Sequence, residues 1–191
     1  YDLRRKSNVL QPGELKDRLE LNLPQSALPI RIHECRQFRG KGESSFVNNI
    51  IGLQTRVSRN KGDVLEEGFP VSQEIKVGEE EFLVHFFAFK EKSYSHLSNN
   101  GIIFTMNGQN HGEEKASVFS KKRIRLSYIS SSIIVIVDCS KISNQTFSKL
   151  FMANREQVKK SNFYNDLLNT VEDLIAKNEA LRKLAQDRQS K

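Results

Sequence analysis

The chain is 191 residues long, 37% hydrophobic and 28% charged, with 10 Gly, 4 Pro and no Trp. Such a length suits one ordinary domain or two small ones with a real core, and the balance of apolar and charged residues excludes wholesale disorder. No run approaches the roughly 20 apolar residues of a membrane-spanning helix, and a net charge of +7 admits a nucleic-acid or acidic partner without requiring one.

In chain order, residues 1–27 are polar and punctuated by Pro12-Gly13 and Pro24. They lack the apolar stretch of a secretory signal. The segment reads as a connector from an upstream region, with one short helix from Glu14 to Leu21. At Leu28 the pattern changes. Leu28 to His33 alternates apolar and polar side chains, the mark of a strand with one buried face. A loop at Gly40–Ser45 leads to a second expected strand, Ile50 to Val57. Ser72–Val77 and Glu81–Phe89 bracket Gly78-Glu79-Glu80, the spacing of a hairpin. Phe82, Val84, Phe86 and Ala88 share one face of the latter strand; Leu83, His85, Phe87 and Phe89 share the other. A strand apolar on both faces is a central one.

Asn99-Asn100-Gly101 signals a turn before the strand Ile102–Met106. Asn107 to Gly112 then leads into an expected helix from Glu113 to Tyr128, ended by Ser130-Ser131-Ser132. Ile133 to Val137, five β-branched residues in succession, is the strongest strand signal in the chain. Strand, helix and strand in this order predict a β-α-β crossover with two parallel strands. Phe163, Leu167, Leu168, Val171, Leu174, Ile175, Leu181 and Leu184 recur at helical spacing and form one stripe. That helix either packs on the sheet or waits for a partner such as a second copy. Its end, Gln186 to Lys191, is expected to fray. The fold class is α+β: a mostly antiparallel sheet, a β-α-β crossover and a long C-terminal helix, divided as 1–27, 28–154 and 155–191.

Chemistry-bearing motifs are few. Cys35 and Cys139 form no CxxC pair, which argues against a disulfide framework or a zinc site and for a reducing, cytoplasmic setting. The four His show no ligand spacing, and neither HExxH, GxSxG, GxxxxGK[ST] nor GxGxxG occurs. No catalytic residue is assigned, and no metal or cofactor is expected to bind the chain alone. Lys121-Lys122-Arg123 with Arg125, and Lys159-Lys160, are either solvated faces or nucleic-acid contacts.

Two segments stand apart. Asn107-Gly108-Gln109-Asn110-His111-Gly112 follows a buried strand, and its glycines permit close backbone approach. Phe151 to Val158 lies between the Ile133 strand and the long helix, with Asn154 as an N-cap and Arg155 in the first turn. An Arg there opposes the helix dipole, and its planar fork suits an anionic phosphate or a nearby carboxylate.

In this order the two segments resemble the transducer (middle) domain of GHKL ATPases. That superfamily groups gyrase B, the ninety-kilodalton heat-shock chaperones, MutL proteins and histidine kinases. Gyrase-like members carry a Gly-rich, His-containing stretch that follows a strand and opens a helix, where Asn107, Gly108, Gln109, His111 and Gly112 stand. The chaperone branch carries an Asn, Ser, Arg, Glu run where this chain has Asn154-Arg155-Glu156, one residue shorter. The resemblance covers roughly residues 28–185. It implies a left-handed crossover and a non-catalytic, nucleotide-sensing role for Arg155 and Asn154 at the γ-phosphate of ATP in an upstream domain. ATP and Mg would belong to the parent protein. The Ile133–Val137 strand and the following helix would pass the movement on. The Gln-Thr-Lys of the gyrase loop is absent, so by this resemblance the phosphate role falls to Arg155 alone.

Overall fold

A computed structural model describes residues 9–11, 13–26, 28, 30–35, 47–91, 100–152 and 157–190. The loop expected at Gly40–Ser45 lies outside the described residues, as do Asn154 and Arg155. The elements in chain order are α1 (Leu15–Asn22), β1 (Ile30–His33), β2 (Val47–Ile50), α2 (Leu53–Arg59), α3 (Lys61–Val64), β3 (Val71–Val77) and β4 (Glu80–Ala88). They continue with β5 (Asn100–Met106), β6 (Gln109–Lys115), β7 (Ile133–Asp138), α4 (Asn144–Leu150), α5 (Asn162–Lys177) and α6 (Glu179–Gln189). Strands and helices are segregated as in an α+β protein.

The β-branched run becomes β7, buried from Ile133 to Val137. A strand that deep needs hydrogen-bonding partners on both edges. It finds β4 on one side, antiparallel with Phe86 opposite Val135, and β5 on the other, parallel with Phe104 opposite Val137. The two hairpins supply the outer strands, giving the order β3-β4-β7-β5-β6. β4 is central, as its two apolar faces predict: Phe82, Val84, Phe86, Phe87 and Ala88 are all buried. β1 and β2 form a separate antiparallel ribbon.

Several expectations are corrected. Residues 50–57 are not a strand. Ile50 ends β2, and Leu53 and Val57, four apart and both buried, lie on the inner face of α2. The helix expected over Glu113–Tyr128 is also absent. Asn107 (φ 52°) and Gly108 (φ 77°) form a two-residue turn with both central residues left-handed, the hairpin-turn geometry that Asn-Gly favours. The turn sends Gln109–Lys115 back along β5 as β6. Short 3-10 turns at Ala116–Ser120 and Ser127–Ile129 complete the path to β7. The two parallel strands are present, but no α-helix joins them. Asn100 and Gly101, expected in a turn, already belong to β5.

The third correction concerns the tail. Gln157 to Ser161 are not helical. α5 begins at Asn162, where Ser161 Oγ accepts from the Tyr164 amide at 3.2 Å. A second start follows at Asn178, whose Oδ1 accepts from the Leu181 amide at 3.0 Å, so the stripe spans two helices. Leu167, Val171, Ile175 and Leu181 are buried in the main core; the sheet, not a partner, covers them. α4, capped by Ser143, went unread in the sequence. Glu80, at the start of β4, accepts from the Ser143 amide (3.1 Å) and from the Ser143 and Thr146 hydroxyls (both 2.5 Å). Those bonds, Ser143 first, hold its carboxyl below the usual range.

Where fraying is expected from Gln186, α6 continues as helix to Gln189. The Arg188 guanidinium, 8% exposed, donates to Glu66 Oε1 (2.8 Å), the Phe89 carbonyl (2.7 Å) and Ser132 Oγ (2.7 Å). It thereby fastens α6 to the residues after β4 and before β7. Arg188→Ala should cost about 2 kcal/mol, because charge-assisted bonds are lost and Glu66 and the Phe89 carbonyl lose a donor. Arg188→Lys should recover only part of it, since an ammonium lacks the planar fork. Urea denaturation checks both, and amide exchange in α6 should quicken in the alanine variant.

Candidate functional site

Because β5 and β7 are parallel, their C-terminal ends open on the same edge of the sheet. Met106-Asn107 leaves one, Asp138-Cys139-Ser140 the other. The ends are locked together: the Cys139 amide donates to the Thr105 carbonyl at 2.8 Å and the Asn107 amide to Ser140 Oγ at 2.9 Å. Asp138 Oδ1 in turn accepts from the Ser140 amide at 2.9 Å and from its hydroxyl at 2.5 Å. A cleft of about 380 Å³ opens there, lined by Met106, Asn107, Gln109, His111, Ser140, Ile142, Asn144 and Phe147. Carboxyl ends of buried parallel strands are where ligand clefts form in open sheets.

His111 sits at the floor, 3% exposed, with the Phe151 ring at 5.2 Å and the Phe147 ring at 6.1 Å. The two segments singled out in the sequence therefore meet. Phe151 bridges to Val158, the Met152 amide donates to the Gln157 carbonyl (3.0 Å) and the Lys159 amide to the Leu150 carbonyl (2.7 Å). These bonds pair residues 150–152 with 157–159 as a neck; Asn154 and Arg155 lie outside the described residues. The neck lies on the hairpin: a side chain at Gly112 would meet Val158 Cγ1 and its backbone nitrogen at 3.0 Å. At Gly108 a Cβ would come within 2.4 Å of the Gln25 carbonyl, while the Gln25 amide donates to the Gly108 carbonyl at 3.2 Å. The segment after α1 is thus seated on the turn.

The hairpin is also tied to α5. The Tyr164 hydroxyl donates to Glu114 Oε1, and its ring meets Phe104 edge-on at 5.7 Å. Burial, then the Glu114 carboxylate, push the Tyr164 phenol well above its ordinary value. Burial also raises the Cys139 thiol, which keeps that sulfur protonated and unreactive.

The cleft offers amides and a hydroxyl from Asn107, Gln109, Asn144 and Ser140. Such groups grip a ligand by neutral hydrogen bonds. No cluster of three His, Cys, Asp or Glu able to hold a metal occurs among the described residues. Ser140 and Asn144 were missed in the sequence; the polar run after the β-branched strand, at its carboxyl end, is the signal that marks them.

Several of the basic residues are engaged by acceptors of the protein itself. Lys121 Nζ pairs with Glu172 at 2.6 Å, and Arg123 binds Asp173 (Nε to Oδ1, 2.7 Å) and Asn169 (3.1 Å) on α5. Lys159 Nζ donates to the Ser148 carbonyl of α4 at 2.6 Å. Lys122, Arg125 and Lys160 are exposed. No helix among the described residues is long and apolar enough to cross a membrane. Compared with known proteins, the sequence matches no family model and no curated protein.

Two predictions follow from this geometry. Gly112→Ala should destabilise the protein by about 1–3 kcal/mol through overpacking against Val158. Adding Val158→Ala should restore part of that in a denaturation double-mutant cycle; strict additivity would mean the two do not touch. The second concerns His85, whose Nδ1 lies 2.8 Å from Ser72 Oγ. Burial lowers its pKa below the ordinary 6.5, although the Asp138 charge opposes the shift. The unfolded chain therefore takes the proton first, and this contribution to stability, complete above pH 6.5, is lost as pH falls below it. Between about pH 7.5 and 5.5, His85→Gln should lose less stability than the parent chain, read by urea midpoints.

Proposed function

We propose that this chain is the transducer part of a larger GHKL-type ATPase, a non-catalytic element that carries the nucleotide state of an upstream ATP-binding domain into movement of its own helices. One observation carries the reading: the Asn107–Gly112 hairpin and the Phe151–Val158 neck, far apart in sequence, are packed together through His111, Phe151, Gly112 and Val158. In the reading, Arg155 leaves that neck to meet the γ-phosphate, where a positioned guanidinium stabilises concentrated negative charge. Asn154 stands beside it. ATP and Mg are held by the upstream domain, and this chain supplies the sensor and the lever.

The lever has a physical basis. A pull on the neck acts on Lys159 to Ser161 and hence on the start of α5. Glu114–Tyr164 couples the same helix to the hairpin. α6 follows α5 after Asn178 alone and is fastened to the sheet by Arg188.

The test is ATP turnover of a longer protein that includes the upstream domain. Arg155→Ala should lower kcat by at least tenfold, about 1.4 kcal/mol of transition-state stabilisation, with urea stability unchanged. Unaltered turnover would remove the sensing role from Arg155.

A further inference from the structure

A second concavity, of about 650 Å³, lies between residues 122–128 and α6, away from the cleft at the ends of β5 and β7. Lys122, Arg125 and Arg182 supply its charge, and no residue lining it is acidic. Of the acidic residues on the adjoining helices, Glu172 and Asp173 of α5 are engaged by Lys121 and Arg123, and Glu179 and Asp187 of α6 do not line the groove. Lys122, Arg125 and Arg182 have no acidic partner among the described residues.

These cations are held in place by the backbone. Arg125 has φ 59°, an uncommon conformation for a residue with a long side chain, and its Nε donates to the Lys122 carbonyl at 2.9 Å. Arg182 Nε donates to the Ala176 carbonyl at 2.5 Å, near the end of α5. In both, the remaining guanidinium nitrogens are left for a ligand. Tyr128 stands at the same groove with 57% of its surface exposed. Gln186 and Gln189, one turn apart on α6, add amide donors and acceptors.

We infer that this groove binds single-stranded nucleic acid: phosphates on Lys122, Arg125 and Arg182, a base stacked on Tyr128, and the glutamine amides at base or sugar edges. A cationic track with an aromatic platform is the arrangement by which single strands are held without sequence preference. An acidic peptide would use the charges but leave the exposed ring without a partner. A membrane surface would call for several exposed apolar side chains along the rim, and Tyr128 is the one large exposed hydrophobic residue among the lining residues described. The inference does not rest on the transducer reading, and either can fail alone.

Fluorescence anisotropy of a labelled oligothymidylate, titrated with the full chain at low and raised salt, tests it. Binding should weaken steeply with salt. Lys122→Gln with Arg125→Asn, the latter chosen because Asn accepts a positive φ, should weaken it by about tenfold or more. Tyr128→Ala should weaken it by about fivefold or more. Lys159→Gln with Lys160→Gln should leave it unchanged, and circular dichroism should show every variant folded. Three results would overturn the inference: no binding at low salt, an equal loss in the Lys159/Lys160 control, or tighter binding of duplex than of single strand. A loss in the charge variant with none in Tyr128→Ala would reduce the groove to a simple anion site and contradict the stacking role.

Discussion

The pairing of β7 on both edges is the constraint from which the other features descend. Ile133 to Val137 cannot face water, and their amides and carbonyls cannot go unpaired. β4 and β5 meet that need from opposite sides, one antiparallel and one parallel. Each brings its hairpin partner, so the sheet reaches five strands without any helix crossing between β5 and β7. The parallel pair then places Asn107 and Ser140 side by side at one edge. The cleft is a consequence of how the buried strand is satisfied, not an addition to the fold.

From that edge outward, the contacts form a connected series. Gly112 and His111 receive the neck at Phe151 and Val158. Glu114 and Phe104 receive Tyr164 of α5. α6 is returned to the sheet by Arg188 at Glu66, Phe89 and Ser132. Tyr164 and Arg188 thus anchor α5 and α6 at separate points, with Asn178 as the joint between the two helices. In the proposed function this series would carry a displacement at the neck, because packed interfaces shift as units and do not deform continuously.

The sequence was most legible where burial imposes a strong periodic pattern. The run at Ile133 and the two-faced apolar pattern of Phe82 to Phe89 each lead to the right strand, while the stripe from Phe163 to Leu184 shows helix and burial but not the break at Asn178 that divides it in two. It was misleading where turn chemistry decides. Asn107-Gly108 reads locally as the approach to a helix, yet that dipeptide reverses the chain and makes β6 from the polar run Gln109–Lys115. Gly52 likewise separates β2 from a helix whose Leu53 and Val57 resemble alternation when joined to Ile51. The docking of Arg188 was illegible for another reason: its partners lie 56 and 122 residues away, and no local pattern carries a contact of that range. At the site, the two odd segments were visible in the residues, but their meeting depends on the parallel pairing of β5 with β7.

Amide hydrogen exchange on a longer protein containing the upstream domain, with and without a non-hydrolysable ATP analogue, tests the central claim most directly. The account predicts slowed exchange at Asn107–Gly112, at Phe151–Val158 and in the first turn of α5 when the nucleotide is bound. Exchange confined to the upstream domain, with these three stretches unchanged, would contradict it.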